Sequence, residues 1–336
     1  MSTTTLAPSA AGEPIEGSST NVAWGRVALF YAIALGMVSV LAFVLARAGA
    51  RFATGEAVAL FQLIIAFFYM PMPLVAGLVV ERIAGRPTLI RKTWAQFRAN
   101  WKRILVVSAL SMLSIYALDL IVTFVLGNLL HVPGVGHLVF TAEEVVANMA
   151  AFVPKSSLAQ MRATMPPIPL LMVLGGVSGL VAGFSINGLF AFGEEYGWRG
   201  VLADELKPLG RNRAALITGV MWGLWHAPII VLGFNYGQYW LAGIGMMAVW
   251  VVPLSFLLSR TRLYTDSVLP AAIIHGAYNA SAGFFLFFVA GRHPLVAVPV
   301  GVAGGLAVAI AAVGVWWFTR KGVAELEQQP GTFAAQ

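Results

Sequence analysis

"GEEYGWRGVLADELKPLGRNR", Gly193 to Arg213, follows the apolar run "LLMVLGGVSGLVAGFSINGLFAF". It places Glu194, Glu195 and Arg199 either at the end of a bilayer-suited segment or inside it. The residues after Arg199 decide which. "VLADEL" stays helix-compatible up to Lys207-Pro208-Leu209-Gly210, a stop signal, and another apolar run begins near Arg213. The pattern is a helical hairpin turning near Gly210. Glu194 lies 16 residues before that turn, and His226, in "WGLWHAP", lies 16 after it. At about 1.5 Å per residue, the two groups reach a similar depth. His275, in "IIHGAYN", sits eight or nine residues beyond the polar turn "SRTRLYTDS", at a comparable though shallower level.

The rest of the chain explains why such a layer would lie in a membrane. Of 336 residues, 59% are hydrophobic and 10% charged, with a mean hydropathy of +0.82; soluble domains carry about 25% charged residues. Runs of about 20 apolar residues cross a bilayer, and eight are visible, over 24–48, 57–81, 104–130, 169–192, 214–233, 239–259, 268–290 and 295–319. The fold class is all-α, a polytopic integral membrane protein of about eight transmembrane helices. Residues 1–22, rich in Ser, Thr, Ala, Gly and Pro, read as a disordered tail. Residues 23–320 form one helical membrane domain without a repeat, and 321–336 form a C-terminal cytoplasmic tail. The first span is too long for a cleaved signal and reads as a retained anchor.

There is no cysteine, which excludes disulfides and thiolate chemistry. The net charge of +7 is unevenly placed. Setting the basic loop with Arg82, Arg86, Arg91, Lys92, Arg98, Lys102 and Arg103 in the cytoplasm puts 16 of 21 Lys and Arg there. The positive-inside bias then places both termini in the cytoplasm of a multi-pass cell-membrane protein. The loop's partners are anionic membrane lipids rather than nucleic acid. Residues 131–166 are the one long external loop, where "TAEEVVANMAAF" is expected to form a short interfacial helix.

Ionisable groups in a membrane core are expensive and functional by default when they converge. Residues four apart on a helix share a face, whereas neighbours diverge by about 100°. Arg199 can therefore pair with Glu195, leaving Glu194 free for chemistry on a stripe with Trp198. His275 and Asn279 also share a face. A free carboxylate, two imidazoles and an amide around one cavity suit water activation. The carboxylate, helped by one histidine, takes a proton from water, while the other histidine and the amide stabilise an oxyanion. Trp198, Trp222 and Trp225 wall this pocket. Ser185 and Ser281 have no nucleophile motif around them and read as helix packing. Asp119 reads as helix packing too, and His131, His137 and His293 as solvated loop residues.

"EEYGWRG", "WGLWH" and "HGAYN", in that order on successive spans, resemble the three motifs of the CPBP family of intramembrane proteases. This is the CAAX-protease and bacteriocin-processing family, and the match covers about 169–290. The resemblance implies an intramembrane endopeptidase acting on a peptide or protein substrate, with membrane-associated and lipidated ones included. Glu194 and His226 would activate water, and His275 and Asn279 would form the oxyanion site. Glu195 and Arg199 would support them, without a cofactor. The departure is Trp222, where the family usually has Phe. Two other readings use the same residues. One is a zinc hydrolase with Glu194, His226 and His275 as ligands, although there is no His-Glu-x-x-His pair. The other is a transporter or a peptide-binding protein of the bacteriocin self-immunity type.

Overall fold

A computed structural model describes residues 21–51, 58–150 and 153–329. The expected N-terminal tail falls largely on residues 1–20, and the last seven residues of the C-terminal tail on 330–336; both lie outside the described residues. The chain is almost entirely helical, as its composition requires. Helix α1 spans Trp24–Arg47. Helix α2 (Val58–Ile64) runs on as a π-helix over Ile65–Tyr69, and α3 (Met72–Ile83) follows the Met70–Pro71 break. Helix α4 (Leu89–Thr123) ends in a π-helical turn, Phe124–Leu129. In the expected external loop, α5 (Ala142–Met149) and α6 (Lys155–Thr164) follow a two-residue strand β1 (His137–Leu138). Helix α5 begins with a capping box between Thr141 and Glu144. The Thr141 hydroxyl and the Phe140 and Thr141 amides hold the Glu144 carboxyl below its ordinary range.

The fourth expected span is not one helix. It breaks at Phe184–Ser185 into α7 (Ile168–Gly183) and α8 (Ile186–Glu195). A tight turn there brings Gly188 onto the Gly183 carbonyl, where a Cβ would sit 2.0 Å from the oxygen. The chain continues through a π-helix, Tyr196–Leu202, then α9 (Ala203–Leu206) and a 3₁₀ turn, Lys207–Leu209. Gly210 turns the hairpin at φ +82°, a conformation that favours glycine, and α10 (Arg211–Trp225) and α11 (Ala227–Ile230) return. Helix α12 (Trp240–Thr265), α13 (Leu269–Ala282), α14 (Phe285–Phe288), strand β2 (Val289–Ala290) and α15 (Val302–Glu327) complete the chain. Helix α15 carries its last span through Glu327, into the stretch expected as tail. Strands β1 and β2 pair antiparallel, with His137 opposite Ala290.

Among the described residues, six helices are long and apolar enough to cross a bilayer, or seven if the bent α6–α7 pair is one span. The two expected spans that fail this test are α7–α8, which is broken, and α10–α11, which His226 and Pro228 interrupt. The protein is a multi-pass membrane protein. Its outward face fits lipid, with Val40 and Phe43 on α1, Val173 and Val181 on α7, and Val313 and Trp317 on α15 all exposed. Ion pairs gather one end of the bundle. Glu205 holds both Arg26 and Arg86, Arg262 meets Asp204, and Arg211 meets Glu327. These bonds put the start of α1, the basic loop, the Gly210 turn and the end of α15 on one face.

Inside, α10 packs along α12, α12 along α15, and α13 against both α7 and α8. Small residues set the α7–α13 distance. A Cβ on Gly183 would lie 2.5 Å from the Ala277 methyl and the Ile273 carbonyl oxygen, so the two backbones are nearly in contact. That close approach seats α13, and with it His275, beside α8.

Candidate active site

The stretch Gly193–Gly200 is buried throughout. Its glycines let it press against α3: a Cβ on Gly197 would come within 2.5 Å of the Pro73 carbonyl oxygen. From Tyr196 onward the helix widens to π geometry, a local feature frequent at functional sites. The widening still leaves Arg199 within reach of Glu195, 3.0 Å between guanidinium and carboxylate, both fully buried.

Trp222 is the centre of the cluster. Its indole Nε1–H donates to Glu194 Oε2 at 2.8 Å. The Arg199 guanidinium lies 4.0 Å over its ring, and the His275 ring meets it edge-on at 5.1 Å. His226, which caps the C-terminal end of α10, is 6.1 Å away ring to ring. Glu194, His226 and His275 thus lie around one indole. No hydrogen bond joins Glu194 to either histidine among the described residues. Trp222, expected as a wall of the pocket, is also a hydrogen-bond donor, which a phenylalanine in its place could not be.

Glu195 has a larger part than an ion pair with Arg199. Its Oε1 lies 2.9 Å from His275 Nδ1. A carboxylate can only accept, so this bond puts the proton on Nδ1 and turns Nε2 away from Glu195. The same reasoning fixes His226. Its Nδ1 lies 2.9 Å from the Trp222 carbonyl oxygen, so Nδ1 carries the proton and Nε2 is left for chemistry. Each imidazole is held by one nitrogen and presents the other.

A further ring of residues gave no sequence signal. Tyr69 donates to the Trp225 carbonyl at 2.6 Å and packs on the Trp225 ring at 4.3 Å. Tyr196, inside the first motif, donates to the buried Glu81 of α3, which also accepts from the Leu89 amide at 3.0 Å. These contacts join the motif to the α3–α4 turn across more than a hundred residues, a distance that short-range spacing does not report.

The remaining expected residues fall as follows. Asn279 lies one turn beyond His275 on α13, exposed, with no hydrogen bond among the described residues. Trp198 and Trp225 are fully buried, 5.8 Å apart, and pack towards α1. Phe30 lies 5.2 Å from Trp198, and Trp225 donates to the Ala34 carbonyl at 3.1 Å. Ser185 and Ser281 spend their hydroxyls on their own helices, on the Val181 and Tyr278 carbonyls. Asp119 is buried and accepts from Tyr278 at 3.2 Å. His131 and His293 lie in loops and His137 in strand β1, all outside the cluster. Among the described residues, no three His, Cys, Asp or Glu side chains gather as a set that could hold a metal ion.

Two comparisons bear on this arrangement. Residues 168–281, from α7 through the third motif, match the family described as "Type II CAAX prenyl endopeptidase Rce1-like". A curated relative, "CAAX prenyl protease 2" of Methanococcus maripaludis, is 30% identical over 143 residues, covering 34% of this chain and 51% of the relative. The match therefore spans about half the relative's length. The segment matched by the family carries Glu194, Trp222, His226 and His275, and over it the chain is similar to type II CAAX prenyl endopeptidases.

Proposed function

We propose that the chain is a membrane-embedded endopeptidase in which Glu194 activates water against a peptide bond. The observation that carries this reading is the Glu194–Trp222 contact. One carboxylate oxygen is anchored by an indole N–H, in a buried pocket on which two oriented imidazoles converge. A water beside the other oxygen gives its proton to Glu194 as its oxygen attacks the scissile carbonyl carbon. His226 Nε2 accepts a hydrogen bond from the same water. The oxyanion that forms on the carbonyl oxygen takes hydrogen bonds from the Asn279 amide and from Nε2–H of His275, which enters the step protonated on both nitrogens and keeps both protons. Glu195 compensates the positive charge that His275 carries in that state. Collapse breaks the C–N bond, and the proton on Glu194 passes to the leaving amine, which restores the carboxylate.

The reading routes no step through a metal ion. His226 and His275 each hold Nδ1 on a protein acceptor, which leaves Nε2 of both rings facing the reaction. The substrate class is a peptide or protein segment within or at the membrane. Similarity to a prenyl protease adds lipidated C-terminal tails to the substrates to be tried. The test is turnover of a peptide library, with and without an isoprenyl chain, by wild type and Glu194→Gln. Cleavage that survives the substitution would overturn the assignment.

A further inference from the structure

At the basic end of the bundle, α10, α12 and α15 leave a groove of about 800 Å³ between them, within the size range of ligand sites. None of the residues assigned to the peptidase site lines it. Its body is apolar, formed by Pro253, Phe256, Val313 and Trp316 on the lipid-facing side of α12 and α15. Its mouth is basic, with Arg211, Arg213 and Arg260. A smaller recess shares Gly210, Arg211, Ser259 and Leu263 with it and adds Lys207, Arg262 and Asp204. Arg211 pairs with Glu327, and Arg262 with Asp204. The Arg260 Nε donates to Thr319 at 2.9 Å. Arg213 is exposed and makes no hydrogen bond or ion pair among the described residues. Five cations face two carboxylates around one opening.

We infer that this groove binds an anionic phospholipid of the adjoining leaflet. The head group's phosphate meets Arg213 and Arg260, and one acyl chain lies along Phe256, Val313 and Trp316. Excess positive charge at the mouth calls for an anion, and basic pockets between membrane helices on the basic side recognise anionic head groups. A small inorganic anion would leave the apolar body unfilled, and a zwitterionic lipid would leave the charge uncompensated. The inference is independent of the peptidase reading. A bound lipid would brace the junction where α10 starts against α12, which Ser255 already ties by donating to the Ala215 carbonyl at 2.7 Å.

The test is native mass spectrometry of the full chain in detergent, titrated with phosphatidylglycerol, with phosphatidylcholine of the same acyl chains, or with inorganic phosphate. Thermal melts are run on the same samples. Wild type is expected to retain phosphatidylglycerol preferentially and to melt higher with it. Arg213→Gln is expected to weaken that binding roughly five-fold, and its combination with Arg260→Gln about thirty-fold. Arg213 has no partner to lose, so the single variant is expected to melt as wild type without lipid. Equal binding of the two lipids, equal stabilisation by inorganic phosphate, or undiminished phosphatidylglycerol binding by the variants would each overturn the inference. Displacement of the lipid by an isoprenylated peptide, rather than by anionic lipid, would assign the groove to substrate and overturn it too.

Discussion

Glu194 and Glu195 are neighbours with opposite tasks, because adjacent helical residues point about 100° apart. Glu195 is enclosed by Arg199 and His275, whereas Glu194 has the Trp222 indole. Glu195→Gln leaves a buried guanidinium without its counter-charge. It is expected to cost about 3–5 kcal/mol of stability together with activity, read by thermal melt and turnover. Glu194→Gln is expected to melt close to wild type. An equal stability loss in the two variants would refute the division. Trp222→Phe keeps the aromatic wall but removes the N–H. Hydrogen bonds to charged groups contribute about 1.5–3 kcal/mol, so a fall in kcat/KM of roughly ten-fold or more is expected; unchanged kinetics would return Trp222 to a wall. Asn279→Ala is expected to lower kcat about 10²-fold without moving Tm, since the side chain is exposed and makes no hydrogen bond among the described residues. A wild-type kcat would remove Asn279 from the proposed oxyanion site. The Glu195–Arg199 pairing was legible from spacing alone. The bond from Glu195 to His275 was not, because it joins positions 80 apart.

At the scale of elements, the hairpin through Gly210 was legible, because a Pro–Gly stop between two apolar runs has few other readings. The π-helix over Tyr196–Leu202 and the break at Phe184–Ser185 were not. A π turn leaves no mark on hydrophobic periodicity when every residue around it is buried, and the break depends on a glycine seated against a carbonyl. The glycines of the first motif carry a testable consequence. Gly197→Ala pushes a methyl into the Pro73 carbonyl oxygen, and overpacking of this kind costs about 1–3 kcal/mol. Gly36→Ala, where nothing lies within 4 Å of the added carbon, is the control; it is expected to be neutral or slightly stabilising in the same melts. A Gly197→Ala variant that melts as high as Gly36→Ala would mean that the α3 contact does not constrain the site.

Over the whole molecule, hydropathy and charge placement were enough to indicate a multi-pass helical membrane protein, and the ion pairs of Glu205, Asp204 and Glu327 gather the basic segments at one end. The tertiary placement of α3 and α1 behind the tryptophans was beyond sequence reach, since apolar runs carry no partner information. Because the chain has no cysteine, a single introduced thiol reports sidedness. In intact cells an impermeant maleimide is expected to label Phe140→Cys and to spare Asn212→Cys; labelling of both, or the reverse, would contradict the cytoplasmic assignment of the basic face. The most direct test of the central claim is peptide turnover by the purified protein, wild type against Glu194→Gln, with metal content measured and chelator added in parallel. The account expects chelator-insensitive cleavage that vanishes in the variant. Stoichiometric zinc with chelator-sensitive cleavage, or undiminished cleavage by Glu194→Gln, would contradict it.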